Sequence, residues 1–542
     1  MVAYGYGPSS FMGTMRVVNV RSQTVDDALA ITERQQRNFD IARFHMEALN
    51  DRSEDALSRL AEYSLLPSMA SFWSSDGYPA ADSISMAAWA GFKWLELDAA
   101  MKIEELERLV DIARSRSTKI LLSKYIEAPV EEDTYRGVEE LVLSLQPEMV
   151  HLFVRSGNFK QMLEGMSQSL MQARKESPIA IMPVGRRCWG LNSLAPYFRH
   201  GMAFMELGYV PPSRDQGSFE EPRSTGEGTN HSFPPSFDIF RSWKEWDMRV
   251  ALNGATAPRT VGPATDIYLR SGTPLLNDLT TALVNRAFSY RGLDMVLLPL
   301  EANQDELREM IDWGRKNRLR GLSITHPLDD AIIPMLNDMD RTVQISQSAD
   351  TVRFDGTKSV GYNSMITALK RVLEGHLHSN ENMKGLVIGS GGEARSAATA
   401  LLDVGVNPAL CSEKITESRM DVHRIDMEKG EVQAIPWNNR KSYLEDCSVL
   451  IHVPSPDDID ISLQSPVQPS DLDENLIVVE TVISDDRTSL EDCARKAGSQ
   501  LVPGTDVMVE RASVAYGFWT ARDPPKDVIR DKAREIMVSV GT

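Results

Sequence analysis

The sequence predicts an α/β protein that is built from repeated strand–helix units. Short apolar runs alternate with amphipathic stretches over residues 66–210, and the alternation resumes at about residue 264. A second observation is an apolar run at Lys384–Ile388 that leads into a glycine-rich turn and then a helical stretch. Alternation of this kind is typical of parallel sheets, either open or closed into a barrel.

The N-terminal region, residues 1–65, has a different pattern. Apolar positions recur at loose helical spacing between Val25 and Tyr63, which predicts a helical N-terminal segment. The region contains no GxxxxGK[ST] phosphate loop, so we expect no nucleotide to bind there in that way.

Residues 66–210 contain the first series of strand–helix units. The predicted strands are Trp94–Leu97, Lys119–Leu122, Met149–Val154 and Ile179–Pro183, and the predicted helices include Ile103–Ser115 and Phe159–Lys175. Residues 211–237 are dense in Pro, Ser, Gly and charge, which indicates a linker or surface loop. We extend this linker, together with the end of the preceding unit, to residue 263.

Composition limits the possible functions. The net charge is -19, and no basic cluster offsets it, so direct binding to nucleic acid is not expected. No run of about 18 apolar residues predicts a membrane span. The four cysteines are far apart, which favours reduced thiols in the cytoplasm, the nucleus or both, and no metal site. A regulatory role would therefore require a protein partner.

The glycine turn is the clearest motif in the chain. The order of strand, GSGGEAR turn and helix (Ser396–Val404) suits the pyrophosphate of a dinucleotide, because glycines let backbone N–H groups approach the phosphates. The alternative is a tight turn that binds nothing and only lets the helix pack closely on the strand. The candidate cofactor-binding residues are Gly389, Gly391, Gly392, Ala394 and Arg395.

The residues around this turn strengthen the cofactor interpretation. The stretch VIGSGGEARSAATALLDVGV resembles the nucleotide loop of shikimate dehydrogenases, and several flanking segments resemble that family in the same order. These segments are SGTPLLND (271–278), SITHPLDDAIIPMLNDMD (323–340), QSADTV (347–352), GYNSM (361–365) and GTDVMVERASVAYGFWT (504–520). The resemblance implies an α/β substrate domain at residues 264–378 and 512–542, and a Rossmann domain at residues 379–511 that could bind NAD(P) weakly.

The preceding region resembles a type I dehydroquinase, which implies a (β/α)8 barrel at residues 66–210. Ala90–Asp98, Lys119–Tyr125 and Glu148–Phe153 look like three of that family's strands. The two domains occur in tandem in the pentafunctional AROM polypeptide and in the fungal quinate repressor family, its diverged relative. This resemblance implies that residues 1–65 are a possible remnant of a shikimate-kinase-like domain.

Several departures from the barrel family's pattern predict that this site is inactive. Its Schiff-base lysine corresponds to His151, and an imidazole cannot form the stable iminium that the reaction needs. Its histidine corresponds to Tyr125, a poor base at neutral pH. Its carboxylate-binding arginine corresponds to Glu96. Lys124 should face the opposite side of its strand, because side chains alternate.

The dehydrogenase-like half departs in a similar way. The catalytic lysine of the family corresponds to Asp329 and its aspartate to Met365, which cannot exchange a proton. The arginine that receives the NADP 2′-phosphate is absent from the segment Cys411–Lys414, and the nicotinamide segment is replaced by His452–Pro456. His326 and Asp330 are the candidates for replacement bases. We therefore expect no catalytic residues.

Other polar positions of the substrate segments are retained or exchanged. As a set they could bind a polyol acid such as quinate or shikimate, with Arg511 as a bidentate partner for its carboxylate. The predicted ligand-binding residues are Ser271, Thr273, Thr325, Asp350, Asn363 and Arg511.

Three functions remain open at this point. The resemblance to the quinate repressor family implies a catalytically inactive sensor that silences a transcriptional activator of quinate use until a quinate- or shikimate-type ligand binds. The alternative is a diverged shikimate or quinate dehydrogenase with rearranged catalytic groups. A third possibility is a truncated or wrongly predicted gene product, because the repressor family is longer at its N-terminus.

Overall fold

The computed structural model divides the chain into two compact units, Met1–Ala264 (unit 1) and Thr265–Thr542 (unit 2). It describes residues 15–36, 39–72, 80–128, 130–175, 179–184, 202–206, 264–272, 279–356, 358–377, 383–425, 431–453, 465–483 and 487–540. Among the helices of these ranges, none combines the length and the apolar character that a membrane crossing needs.

The described residues of unit 1 form one sheet of eight strands, with a helix between each pair of successive strands from the first to the seventh. The strands are β1 (Met15–Val20), β2 (Ile41–His45), β3 (Ser68–Ser71), β4 (Trp94–Asp98), β5 (Lys119–Glu127), β6 (Met149–Arg155), β7 (Ile179–Val184) and β8 (Met202–Glu206). The helices are α1 (Val25–Gln35), α2 (Glu54–Tyr63), α3 (Ala80–Ala90), α4 (Ile103–Ser115), α5 (Glu132–Leu145) and α6 (Phe159–Lys175). The predicted strands and helices of residues 94–184 are confirmed, and both named helices have the predicted bounds.

The strands of unit 1 are ordered as in a closed barrel, except that the described residues show no pairing between β7 and β8. Neighbouring strands from β1 to β7 pair in sequence order, and β8 pairs with β1, all in parallel. A (β/α)8 barrel has this order and closes between its last two strands as well. The described residues give no pairing of β7 with β8, so the closed barrel stays a prediction.

The helices predicted between Val25 and Tyr63 are present as α1 and α2, but the prediction of a separate helical segment at residues 1–65 differs from the structure. Residues 15–63 contribute β1 and β2 to the sheet of unit 1, where Val17 pairs with Ile41. Every residue of β2 is buried, and a fully buried parallel strand lacks the two-residue alternation that distinguishes a strand from a helix. The spacing of Ile41 and Phe44 therefore resembled a helical pattern. The predicted linker at residues 211–263 lies outside the described residues.

The first sheet of unit 2 is mixed. Its strands are β9 (Asp266–Ser271), β10 (Met295–Pro299), β11 (Leu319–Ile324), β12 (Asp338–Met339), β13 (Thr351–Asp355) and β14 (Lys358–Tyr362), in the order β10-β9-β11-β13-β14-β12. β13 runs antiparallel to both β11 and β14. The helices of this part are α7 (Leu279–Tyr290), α8 (Leu307–Lys316), α9 (Leu328–Ala331), α10 (Arg341–Ser346) and α11 (Ser364–Glu374).

The second sheet of unit 2 has a Rossmann-like topology. Its strands β15 (Lys384–Gly389), β16 (Asn407–Cys411), β17 (Gln433–Ala434), β18 (Val449–Val453), β19 (Ile477–Glu480) and β20 (Gln500–Val502) are all parallel, in the order β17-β16-β15-β18-β19-β20. The order reverses between β15 and β18, and ligands of such sheets bind beyond the strand ends at this point. The predicted strand at 384–388 and the helix after it are confirmed.

The helices of the second part are α12 (Gly391–Asp403), α13 (Ile415–Arg424), α14 (Arg440–Leu444), α15 (Ser489–Ala497), α16 (Gly504–Thr520) and α17 (Lys526–Val540). The predicted domain boundary between residues 511 and 512 falls inside α16, so it differs from the structure. This helix packs against α11, α7 and α17 and is therefore continuous with the first sheet's helical layer.

Candidate functional site

The candidate site of unit 2 lies around the glycine turn after β15. Gly389 ends β15 with a φ of +149°, and a Cβ at this position would lie 1.8 Å from the carbonyl oxygen of Val453. Gly391 has a φ of +82°, a left-handed conformation that side chains other than glycine rarely adopt. The turn and the close packing of β15 on β18 thus account for both glycines without any ligand.

Two carboxylates of the chain itself occupy the space beside this turn. The backbone N–H of Gly391 donates to Oδ2 of Asp421 on α13, with a distance of 2.8 Å. A Cβ on Gly392 would lie 1.8 Å from Oδ2 of Asp329, which follows β11 in the first sheet. The glycine at 392 therefore admits a carboxylate of the protein at the place where a dinucleotide phosphate approaches in the Rossmann motif.

Arg395 joins these acids in a buried network. Its Nη1 lies 2.7 Å from Oδ1 of Asp421, and its Nη2 binds Oδ1 of Asp330. Its Nε donates to the carbonyl oxygen of Ser346 at 2.9 Å. Arg424 on α13 binds the other oxygen of Asp330 at 2.6 Å. Only 1% of the Arg395 side chain is exposed, so these groups meet nearly all of its hydrogen-bonding capacity.

The two buried aspartates are unfavourably placed for negative charge. Burial raises the pKa of Asp329, and the nearby charges of Asp330 and Glu393 raise it further. Burial also raises the pKa of Asp421, although the Gly391 N–H and Arg395 act in the opposite direction. Desolvation favours the neutral acid, and both groups therefore bind their protons more strongly than free aspartate.

Asp350 binds the N-terminus of α11. It accepts hydrogen bonds from the backbone N–H of Ser364 at 2.6 Å and of Met365 at 3.0 Å. It also accepts from the hydroxyls of Ser364 and Thr351. A carboxylate at a helix N-terminus is stabilised by the free N–H groups and by the helix dipole, so Asp350 has a structural role in the fold.

Asn363 is the N-cap of the same helix. Its Oδ1 accepts from the N–H of Ile366 at 3.2 Å, and its amide group donates to Ser348 O at 2.9 Å and to Ser396 Oγ at 2.8 Å. Both Asn363 and Asp350 are buried. Their polar atoms have partners within the protein, and a bound polyol would have to replace some of these hydrogen bonds.

Arg511 on α16 connects the two sheets of unit 2. Its Nη2 lies 3.3 Å from Oδ2 of Asp350, and its Nη1 lies 2.9 Å from Oε1 of Glu393 at the start of α12. The Glu393 side chain is 37% exposed, whereas that of Asp350 is 8% exposed. Arg511 therefore pairs with one buried acid, Asp350, and with one partly exposed acid, Glu393.

The other predicted site residues have different surroundings. Ser271 is buried and donates its hydroxyl to Leu300 O at 2.7 Å. Thr325 and His326 are half-buried in the segment after β11, and Thr325 N donates to Ser271 O. Thr273 lies outside the described residues. Met365 is fully buried in the apolar core between α11 and α12.

The residues at the end of β16 do not fit the 2′-phosphate of NADP, although an acid at this place is the residue type that binds the ribose 2′-hydroxyl of NAD in the Rossmann motif. Ser412, at the end of β16, uses its hydroxyl for Lys414 O and Ser418, and Glu413 is exposed where an NADP 2′-phosphate needs a cation. At the end of β18, His452 Nδ1 lies 3.1 Å from both carboxylate oxygens of Glu480. Asp421 and Asp329 bring acids, not donors, to the glycine turn. The described part of the chain also has no group of metal ligands.

Unit 1 has its own buried polar cluster on one face of the sheet. Arg43 Nε on β2 lies 2.7 Å from Oε2 of Glu96 on β4, and its Nη1 donates to Asn19 on β1. Ser123 on β5 donates to the other oxygen of Glu96 at 2.7 Å. Glu96 is therefore neutralised by an arginine of the protein itself.

The residues that the predicted dehydroquinase resemblance assigns to catalytic positions lie on the neighbouring strands β4, β5 and β6. Ser123 and His151 are register partners on β5 and β6, as are Tyr125 and Phe153. The rings of Tyr125 and Phe153 are stacked with centroids 4.6 Å apart. Burial raises the pKa of the Tyr125 phenol, so the phenol keeps its proton more firmly than free tyrosine and supplies even less of the basic phenolate at neutral pH. Lys124 pairs with Leu152 and belongs to the opposite face of the strand.

Comparisons with known proteins agree with the fold of unit 2. The family described as the shikimate dehydrogenase substrate binding domain matches residues 271–352. The shikimate dehydrogenase (NADP(+)) of Archaeoglobus fulgidus is 26% identical over 262 residues, which are 48% of this chain and 95% of that protein. The corresponding enzyme of Pelobacter propionicus is 28% identical over 262 residues, 48% of this chain and 92% of that protein.

Solved structures give a similar picture. The shikimate dehydrogenase of Aquifex aeolicus has a TM-score of 0.45 and 21% identity, and covers 50% of this chain and 98% of its own. Quinate dehydrogenase from Corynebacterium glutamicum in complex with NAD has a TM-score of 0.46 and 19% identity, and covers 50% of this chain and 99% of its own. The two curated shikimate dehydrogenases are similar in sequence to about half of this chain, 48% in each case.

Sequence reasoning missed three members of these networks. Asp421, Glu393 and Arg43 are ordinary charged residues in helices or strands, and no motif distinguishes them. One signal was available, because an arginine next to a glycine turn and inside an apolar helix needs a buried acidic partner. The position of that partner depends on tertiary contacts.

Proposed function

We propose that this chain is a non-catalytic relative of shikimate dehydrogenase that regulates quinate or shikimate use by binding a protein partner. The observation that carries the proposal is the burial of the two residues that align with the catalytic lysine and aspartate of shikimate dehydrogenases. Asp329 is buried among other acids, and Met365 is fully buried in the apolar core.

Hydride transfer from an alcohol requires a group that takes the hydroxyl proton. Met365 has no exchangeable proton, and its side chain belongs to the core between α11 and α12. Asp329 lacks the positive charge of a lysine, and a carboxylate there repels a substrate acid. The remaining candidate bases are Asp330, which is held by two arginines, and the half-buried His326.

A quinate- or shikimate-type ligand is the proposed signal. Its carboxylate could compete with the half-exposed Glu393 for Arg511, since this ion pair lies nearest the surface. Asp350 and Asn363 already bind the N-terminus of α11, so ligand hydroxyls that exchange with these hydrogen bonds would alter that helix. Binding would thereby change the surface that the partner contacts.

The proposed partner is a transcriptional activator of the pathway, in the cytoplasm or nucleus. A net charge of -19 disfavours direct contact with nucleic acid, so repression would act through a protein surface. The resemblance to the fungal quinate repressor family supports this choice of partner.

A diverged shikimate or quinate dehydrogenase is the second candidate. The similarity to shikimate dehydrogenases over 262 residues and the glycine turn in a Rossmann-like sheet favour it. It would require His326 or Asp330 to replace the lost proton-transfer groups.

An assay and a titration with the full chain separate the two candidates. We expect no NAD+- or NADP+-linked turnover of shikimate or quinate, and measurable calorimetric binding of quinate, shikimate or dehydroquinate that Arg511→Met abolishes. Lys316→Met, an exposed substitution on α8, is the control. Turnover that is lost in His326→Ala or Asp330→Asn would establish the dehydrogenase, and the absence of binding by all three acids would refute the sensor.

A further inference from the structure

The glycine turn of unit 2 is filled from within the protein. Gly389 is required by the carbonyl oxygen of Val453, and Gly391 by its backbone conformation. Gly392 lies against the carboxylate of Asp329, and the N–H of Gly391 is bonded to Asp421. The three glycines and one backbone N–H of the turn thus have an explanation within the chain.

The charges at the start of α12 also oppose a dinucleotide. Four acids lie at this end of the helix: Asp329, Asp330, Glu393 and Asp421. The three arginines that approach them are already in ion pairs with these acids: Arg395 with Asp330 and Asp421, Arg424 with Asp330, and Arg511 with Glu393. A pyrophosphate adds two negative charges, and like charges in close contact oppose binding.

We propose that the carboxylates of Asp421 and Asp329 replace the dinucleotide phosphates at this turn, so that the motif joins the two sheets of unit 2 and excludes NAD(P). Asp421 takes the backbone donor that a phosphate oxygen would use, and Asp329 takes the space above Gly392. Arg395 neutralises the first of these acids and, through Asp330, also holds the segment that follows β11.

This arrangement ties one sheet to the other through the guanidinium groups of Arg395 and Arg424. Asp330 belongs to α9 in the first sheet's part, whereas Arg395 and Arg424 belong to α12 and α13 in the second. A ligand that entered between Asp329 and Gly392 would have to break these contacts. The same contacts therefore exclude the dinucleotide and connect the two sheets.

Calorimetric titration of the full chain with NAD+ and NADP+ tests the proposal without any assay of activity. The unchanged chain should show no saturable binding. Asp421→Ala removes the carboxylate from the Gly391 N–H and should therefore show saturable binding of at least one dinucleotide. Asp421→Asn keeps a hydrogen-bond acceptor of the same shape and removes only the charge, so it serves if the alanine variant does not fold.

Glu417→Ala is the matched control, because Glu417 lies on the same helix and pairs only with the exposed Lys414. It should leave dinucleotide binding unchanged. Saturable binding by the unchanged chain, or the absence of a gain in both Asp421 variants, would overturn the proposal. A chain that binds NAD+ but shows no turnover would refute this inference alone, whereas turnover would refute the proposed regulatory function.

Discussion

Asp421 on α13 accepts a hydrogen bond from Gly391 N through Oδ2 and an ion pair from Arg395 through Oδ1. One carboxylate therefore binds both a backbone N–H of the glycine turn and the guanidinium of Arg395 on the helix that follows the turn. Because Asp421 and Arg395 are both buried, solvent cannot stabilise one charge if the other is removed.

Loss of Arg395 should destabilise unit 2 strongly. Arg395→Met leaves Asp421 buried without its cation, and removal of one partner of a buried ion pair typically costs about 3–5 kcal/mol. Urea unfolding followed by hydrogen exchange in peptides from 383–425 measures the change. Arg424→Met is the control, since its side chain is 55% exposed and an exposed pair contributes less than about 1 kcal/mol. Equal effects of the two substitutions would contradict the network.

Asp329→Asn should stabilise unit 2, and the gain should depend on pH. The folded pKa of Asp329 is raised above the ordinary value of 3.8, so the folded state keeps the proton longer than the unfolded state. The contribution of Asp329 to the free energy of unfolding is most favourable below its pKa in the unfolded state. This contribution is lost as pH rises through its pKa in the folded state. The asparagine variant should therefore gain about 1 kcal/mol at neutral pH and nothing in acid.

Thermal unfolding of the unchanged chain and of Asp329→Asn at several pH values measures this difference. Asp312→Asn is a suitable control because the Asp312 side chain is 60% exposed. We expect its effect to be small at every pH. A stability difference for Asp329→Asn that shrinks as pH rises would show that the sign is wrong.

The Arg43–Glu96 pair should behave as a buried unit in unit 1. Arg43→Met leaves Glu96 with only Ser123 as its hydrogen-bond donor among the described contacts and should cost about 3–5 kcal/mol. The double substitution Arg43→Met with Glu96→Leu removes both charges and should recover most of that loss. Hydrogen exchange in peptides from residues 15–72 during urea unfolding reports the stability of this part.

The exposed pair of Arg59 and Asp26 provides the comparison for unit 1. Its side chains are 48% and 80% exposed, so Arg59→Met should change the stability by less than about 1 kcal/mol. Additive effects of the Arg43 and Glu96 substitutions, with no recovery in the double variant, would mean that the two side chains do not stabilise one another.

The sequence predicted the elements whose patterns are local. The helix Ile103–Ser115 has a clear apolar stripe, and the turn at 389–392 has glycines between a strand and a helix. The strand Ile41–His45 was missed because all of its residues are buried and no alternation marks it. The contact between Gly391 and Asp421 spans 30 residues and depends on how α13 packs on α12, which no local pattern encodes.

The contact between Asp329 and Gly392 limits which side chains position 329 can accept. A lysine at position 329 would extend several atoms into a space where an aspartate oxygen already touches the backbone of the turn. It would also remove the acid that faces Ser348, while the arginines around Asp330 and Asp421 keep the segment in place. A lysine at position 329 therefore does not fit the present packing by itself, and neighbouring residues would have to change with it.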